Sequence, residues 1–157
     1  MVMKLFRSTT ICAPAERVWS ELQTPRLLVH VARPFVRFVP VSPPQFPEVW
    51  EDAEYEVKVW AFGVVPFGRQ TIRTSRSAED GNVHVLRDRG SGQLVKVWDH
   101  IIRVQPAADG TTRYSDAVEV KAGLLTPFVW LFAYFFYWHR QRRWRALARG
   151  AFSYHAR

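Results

Sequence analysis

Residues 126–149 read TPFVWLFAYFFYWHRQRRWRALAR. Thr126-Pro127 supplies a helix cap and first position, and Gly150 a terminator. The spacing therefore predicts one helix, about 35 Å long at 1.5 Å per residue. Its two halves differ in kind. Phe128 to Trp138 is an unbroken apolar run dominated by aromatics, whereas His139 to Arg149 is basic, with Trp144 and Leu147 still apolar. A helix that covers a sheet needs one apolar stripe. Phe128, Phe132, Phe135 and His139 form such a stripe, and Trp130, Tyr134 and Tyr137 lie largely off it. The apolar run, 11 residues long, is too short to span a bilayer.

The surface that this helix covers precedes it in the chain. Lys4 to Cys12 is rich in β-branched residues and reads as a strand. Pro14 and Thr24-Pro25 each open a short helix, and Pro34 closes the second. Phe35 to Val39 reads as a further strand, before a proline-rich loop at 40–47. Strands then follow at 54–62, 67–75, 83–89, 94–104 and 112–121. Gly63 to Pro66, Asp80-Gly81, Gly90-Ser91-Gly92 and Asp109-Gly110 supply the turns between them. Strands segregated from helices predict an α+β fold. A long antiparallel sheet must bury one face, and the last helix is its natural cover. A sheet curled round a helix leaves an apolar space between them, where small ligands bind.

A chain of 157 residues with one cysteine fits a single domain, 1–157. A domain of that size hides roughly 70% of its unfolded surface and needs no staple. One cysteine excludes an internal disulfide framework and a zinc site built on several thiolates. The formal net charge is +8, but residues 139–157 hold six Arg and no acid, so the remaining body is nearly neutral. Met1 to Ala15 lacks the apolar core of a signal peptide. A cytoplasmic protein is expected, with peripheral membrane association as a variant.

The opening Ile11-Cys12-Ala13-Pro14-Ala15-Glu16-Arg17-Val18-Trp19 resembles the strand-to-helix start of the START-like, or SRPBCC, superfamily. Its members include birch-pollen-allergen relatives, polyketide cyclases and lipid carriers. Trp50-Glu51-Asp52, Phe62-Gly63, Pro66-Phe67-Gly68-Arg69-Gln70, Trp98-Asp99-His100, Tyr114-Ser115-Asp116 and His139-Arg140-Gln141-Arg142-Arg143 resemble a bacterial branch of it. The resemblance covers nearly the whole chain. It implies the helix-grip fold, a curved antiparallel sheet wrapped round a long C-terminal helix, with a cavity for a hydrophobic ligand. It implies no particular reaction, because the superfamily spans carriers, cyclases and hydrolases.

His100 and Asp116 form the best candidate constellation. With a turn centred near residue 108, His100 faces Asp116, Trp98 faces Val118 and Ile102 faces Tyr114. That parity is apolar apart from the His–Asp pair and is expected to face inward. The opposite parity carries Asp99, Arg103, Arg113 and Glu119 and is expected to face water. A carboxylate beside a buried imidazole raises its pKa and fixes its tautomer. Such a pair pins strand register, grips a ligand hydroxyl, or acts catalytically, with His100 as general base oriented by Asp116. The expected ligand lining is Trp98, His100, Tyr114, Asp116, Val118, Gln70, Phe128, Phe132 and Phe135. His84 is expected across from Trp98 if Gly90-Ser91-Gly92 turns tightly, but no third nitrogen completes a site. Neither a metal nor a cofactor is expected. Arg87, Asp88 and Arg89 read as a salt-bridged hairpin end, and Cys12 as a buried small hydrophobe.

Trp130, Tyr134 and Tyr137, followed by Arg142, Arg143 and Arg145, suit a membrane interface. The rings would sit at headgroup depth and the arginines on anionic phosphates. A homodimer seam and cover by the chain's own loops are the alternatives. Nucleic acid is disfavoured, because the cations sit on one helix end, no readout motif is present and the neighbours are apolar. The expected function is binding or carrying a hydrophobic or aromatic small molecule or lipid. A cyclase- or hydrolase-type enzyme and a membrane-surface adaptor stand as alternatives.

Overall fold

A computed structural model describes residues 1–155; Arg157 of the basic tail lies outside the described residues. In chain order the elements are β1 (Met3–Ile11), α1 (Ala15–Leu22), α2 (Pro25–Ala32), β2 (Val36–Ser42), β3 (Glu54–Ala61), β4 (Val65–Glu79), β5 (Val83–Gly92), β6 (Val97–Pro106), β7 (Thr112–Lys121) and α3 (Thr126–Arg149). The strands form one antiparallel sheet in the order β1-β7-β6-β5-β4-β3-β2. This is the helix-grip arrangement, α+β, with two short helices after the first strand and one long helix at the end.

Local chemistry explains the helix boundaries. Thr24 caps α2 by accepting the Leu27 N–H at 3.3 Å, and Pro25 follows at the first position. Arg33, held extended before Pro34, ends α2. Thr126 begins α3 but does not cap it. Its hydroxyl accepts the Ala122 N–H at 2.9 Å and donates to Gly123 O at 2.7 Å, tightening the turn that leads in.

Two of the expected turns are corrected. Gly90-Ser91-Gly92 does not turn; β5 runs through it, and the chain reverses over residues 93–96. A Cβ on Gly92 would lie 2.7 Å from Arg69 O, and one on Gly90 would lie 3.1 Å from Trp98 O. These glycines let neighbouring strands approach closely, a role that looks like a turn signal in sequence. The β6–β7 turn is centred one residue later than expected, with Asp109 at φ 60° and Gly110 at φ 69°. His100 therefore faces Val118, and Ile102 faces Asp116. The register differs by two residues, so every side chain keeps its expected face.

The core has two apolar clusters. One gathers Val57, Val59, Ile72, Val120, Ala133 and Phe136. The other gathers Ile11, Val18, Leu27, Val104, Tyr114 and Trp144. The face that α3 buries is Val129, Ala133, Phe136, Tyr137, Arg140, Gln141, Trp144 and Leu147. The expected stripe is thus wrong in phase: Phe128 and Phe135 are exposed. An aromatic helix face looks apolar in any phase, and the sheet selects the row whose small Ala133 permits close approach. Cys12 is exposed rather than buried.

Candidate functional site

α3 packs mainly on β1, with lesser contact to β7. Between α3 and the β2–β6 part of the same face lies a cavity of about 90 Å³. Its apolar wall comes from Val36, Phe38, Val57, Val59, Phe132 and Phe136, and its polar end from Gln70, Thr71, Asp88, His100, Tyr137 and Arg140. Phe132 stands among Phe35, Phe62, Phe67 and Phe136, with ring centroids 5.8–6.3 Å away.

Of the expected lining, Trp98, His100, Gln70 and Phe132 are on this wall. Tyr114, Asp116 and Val118 are buried outside the cavity wall. The reason is the seat of α3, which fills the space over β7. Phe128 borders an apolar recess next to the cavity, and Phe135 lies outside both. Tyr137, expected at a membrane or partner surface, is instead buried and accepts the Trp98 indole N–H at 3.1 Å. Trp130 is half-buried and donates to Lys4 O at 2.9 Å, while Arg145 reaches Thr9 Oγ1 at 2.8 Å. Tyr134 and Arg142 remain exposed, and Arg143 is half-buried beside His30. His84 pairs with Val104, not Trp98, and its Nε2 meets Glu16 at 3.0 Å.

Behind the polar end sits a buried network. His100 Nε2 lies 2.8 Å from Asp116 Oδ1. Tyr114 donates its hydroxyl to the same oxygen at 3.1 Å, and Gln141 Nε2 donates to Oδ2 at 2.9 Å. The Arg140 Nε lies 3.8 Å from Asp116 Oδ1. Burial alone would raise the Asp116 carboxyl, but His100, Arg140 and Gln141 outweigh it and hold it below the ordinary range. His100 behaves opposite to the sequence expectation. Burial lowers its pKa, and the Asp116 carboxylate only partly opposes this. The nearby Arg140 charge adds to the effect of burial, and together they disfavour the imidazolium.

Three residues of this site escaped the sequence. Arg140 and Gln141 sit in a run of arginines that reads as a solvated helix end, yet they are 4% and 2% exposed. Asp88 reads as part of a charged hairpin tip, yet it lies on the cavity wall directly across from His100. Its Oδ1 accepts the Arg73 N–H at 2.9 Å. Burial raises the Asp88 carboxyl to about 7, with the Arg73 N–H opposing. Only its parity, shared with His84 and Leu86, pointed inward.

A carboxyl raised from 3.8 to about 7 stabilises the fold below its unfolded value, and that contribution is lost as pH rises through 7. Asp88→Asn is therefore expected to stabilise the protein at pH 8 and to do so progressively less toward pH 4. Urea midpoints measured across that range check this; an equal effect at both ends would refute it.

Residues 9–148 match the family described as Domain of unknown function (DUF8410). Comparison with curated proteins finds no match. Among solved structures, a START superfamily protein from Mycobacterium smegmatis superposes with TM-score 0.66 at 13% identity, covering 94% of this chain and 98% of that one. Norcoclaurine synthase from Thalictrum flavum, in complex with dopamine and hydroxybenzaldehyde, gives 0.63 at 10% identity, covering 96% and 88%. The Zhui aromatase/cyclase from Streptomyces sp. R1128 gives 0.57 at 12% identity, covering 96% and 93%. At these identities the likeness establishes the START-like fold.

Proposed function

The chain belongs to the DUF8410 family, and from its cavity we propose that it binds a small hydrophobic molecule bearing a phenol-type hydroxyl. The observation that carries this is the state of Arg140. Its guanidinium has five N–H donors. Within the protein they make two long bonds, 3.4 and 3.3 Å, to the single Tyr114 hydroxyl. Arg140 also lines the cavity. Asp116, 3.8 Å away, balances its charge, but donors left without a hydrogen-bond acceptor are costly, and a ligand oxygen would satisfy them. Asp88 Oδ2 has no hydrogen-bond partner among the described residues and accepts the ligand O–H. Trp98, Phe132 and Phe136 flank the ring. The cavity, about 90 Å³, is smaller than the roughly 150 Å³ that accepts benzene, so a one-ring ligand requires Phe132 to turn outward. The norcoclaurine synthase structure holds hydroxylated single-ring molecules in the same fold.

Paired probes test the proposal. p-Cresol and toluene share a ring and differ by the hydroxyl. p-Cresol is expected to bind roughly ten-fold or more tightly, the margin of a hydrogen bond to a charged group, as read by calorimetry. Arg140→Met combined with Asp116→Asn removes both charges together and is expected to erase that margin. Equal binding of the two probes by the unaltered protein overturns the hydroxyl reading. Binding of neither overturns the small-molecule reading.

One observation favours a second reading, general-base catalysis. His100, whose imidazolium burial disfavours, faces the cavity and is oriented by Asp116 at 2.8 Å, as a base requires. Its mark would be conversion of the bound molecule, visible by mass spectrometry.

A further inference from the structure

Beside the cavity the protein carries an exposed apolar surface that none of the described residues covers. Three separate loops and one helix face contribute to it. Leu124 is 94% exposed, Val64 72% and Phe128 71%. Leu94 belongs to the same surface, since Phe62, Leu94 and Phe128 border one apolar recess. Along α3 the surface continues through Leu131, Phe135 and Trp138, all at least 42% exposed.

The charge around it is mainly positive. Residues 57–78, 89–98 and 120–157 contain no Asp or Glu, and Glu56, which shares a groove with Lys96, is paired with Arg69. Lys96 and Lys121, joined by the 2.8 Å bond from Lys96 N to Lys121 O, are both exposed beside Leu94 and Leu124. At the far end of the helix face, the Arg142 guanidinium lies 5.7 Å from the Trp138 ring centre. None of these three cations has an acidic partner among the described residues.

We propose that this surface docks on a membrane containing anionic lipid, with the loop tips in the acyl boundary and Lys96, Lys121 and Arg142 at the headgroups. An apolar surface rimmed by unpaired cations matches that interface. A second copy of the chain fits it less well, because a twofold contact would bring the mainly basic rims together. The position adds a consequence. The recess shares Ala61, Phe67 and Phe132 with the cavity wall. The Phe67–Phe132 stack, 6.0 Å between centroids, is therefore what separates the cavity from the docked bilayer, and a hydrophobic ligand would pass there without crossing water. No helix of the described residues is long and apolar enough to cross a membrane, so the contact is peripheral.

The experiment is co-sedimentation with vesicles of phosphatidylcholine alone and of phosphatidylcholine with phosphatidylglycerol. The protein is expected on the second at low salt. Lys96→Glu with Lys121→Glu is expected to lower partitioning by roughly 30-fold or more, at about one factor of five per basic group. Val64→Ser, Leu124→Ser and Leu131→Ser together change only exposed positions, are expected to keep the melting temperature, and are expected to release the protein from vesicles. Absence from anionic vesicles overturns the proposal. So does retention that the serine variant leaves unchanged, which would mean a purely ionic contact. So does a dimer by light scattering that the serine variant splits. Cresol binding in solution is read separately, so failure of one proposal does not mask the other.

Discussion

Asp116→Ala is expected to destabilise the protein by about 3–5 kcal/mol, the usual consequence of breaking a buried ion pair. Asp116 has no exposed surface. Its two oxygens accept from Tyr114 and Gln141 and pair with His100, and Arg140 stands 3.8 Å away. Removing the carboxylate strands the Arg140 charge and leaves the Gln141 amide and the Tyr114 hydroxyl short of an acceptor. Asp116→Asn keeps the shape and one acceptor, so its effect is smaller but of the same sign. Urea unfolding at pH 7 measures both. A loss below about 1 kcal/mol for the alanine variant would mean that the buried network contributes little.

Trp144→Ala and Phe128→Ser are expected to part company, although both replace an aromatic on the same helix. Trp144 is fully buried against Ile11, Leu27 and Tyr114, with the Tyr114 ring 5.4 Å away. Its loss leaves a cavity and is expected to cost about 3–5 kcal/mol. Phe128 is 71% exposed, and its replacement is expected to change stability by no more than about 0.5 kcal/mol. Melting curves of the two variants decide it. Similar losses would mean that the helix packs in the other phase.

That contrast marks how far the sequence could be read. Thr24 acts through its side chain and Pro25, Pro34 and Asp109-Gly110 through their own backbone, so the helix and turn signals they carry are local ones. Gly90-Ser91-Gly92 misled because a glycine is equally suited to a turn and to close strand approach, and only the neighbouring strand distinguishes them. The inward parity of Trp98, His100 and Ile102 survived a two-residue register error because side chains repeat every second residue. The facing partner of His100 did not survive it.

The candidate site was half legible. His100 and Asp116 stood out as polar residues within an apolar alternation. Asp88 shared the inward parity but looked like its charged neighbours Arg87 and Arg89, of which Arg87 does pair outward with Asp99 at 2.6 Å. Arg140 and Gln141 carried no signal, because a run of arginines at a helix end is favourable for the helix alone. The direction of the imidazole's pKa shift was misread because the sequence shows the carboxylate beside the ring but not the depth of burial, which outweighs it.

The sequence by itself determined the order of elements and which strand faces turn inward, since these follow from local backbone preference and short periods, and its family resemblance implied the helix-grip architecture. Tertiary structure alone decided the phase of α3, the displacement of the cavity away from β7, and the burial of Arg140 beside Asp88. Those depend on where a helix apolar over most of its surface comes to rest on a twisted sheet. Close packing around Ala133 settles that, and no single segment encodes it.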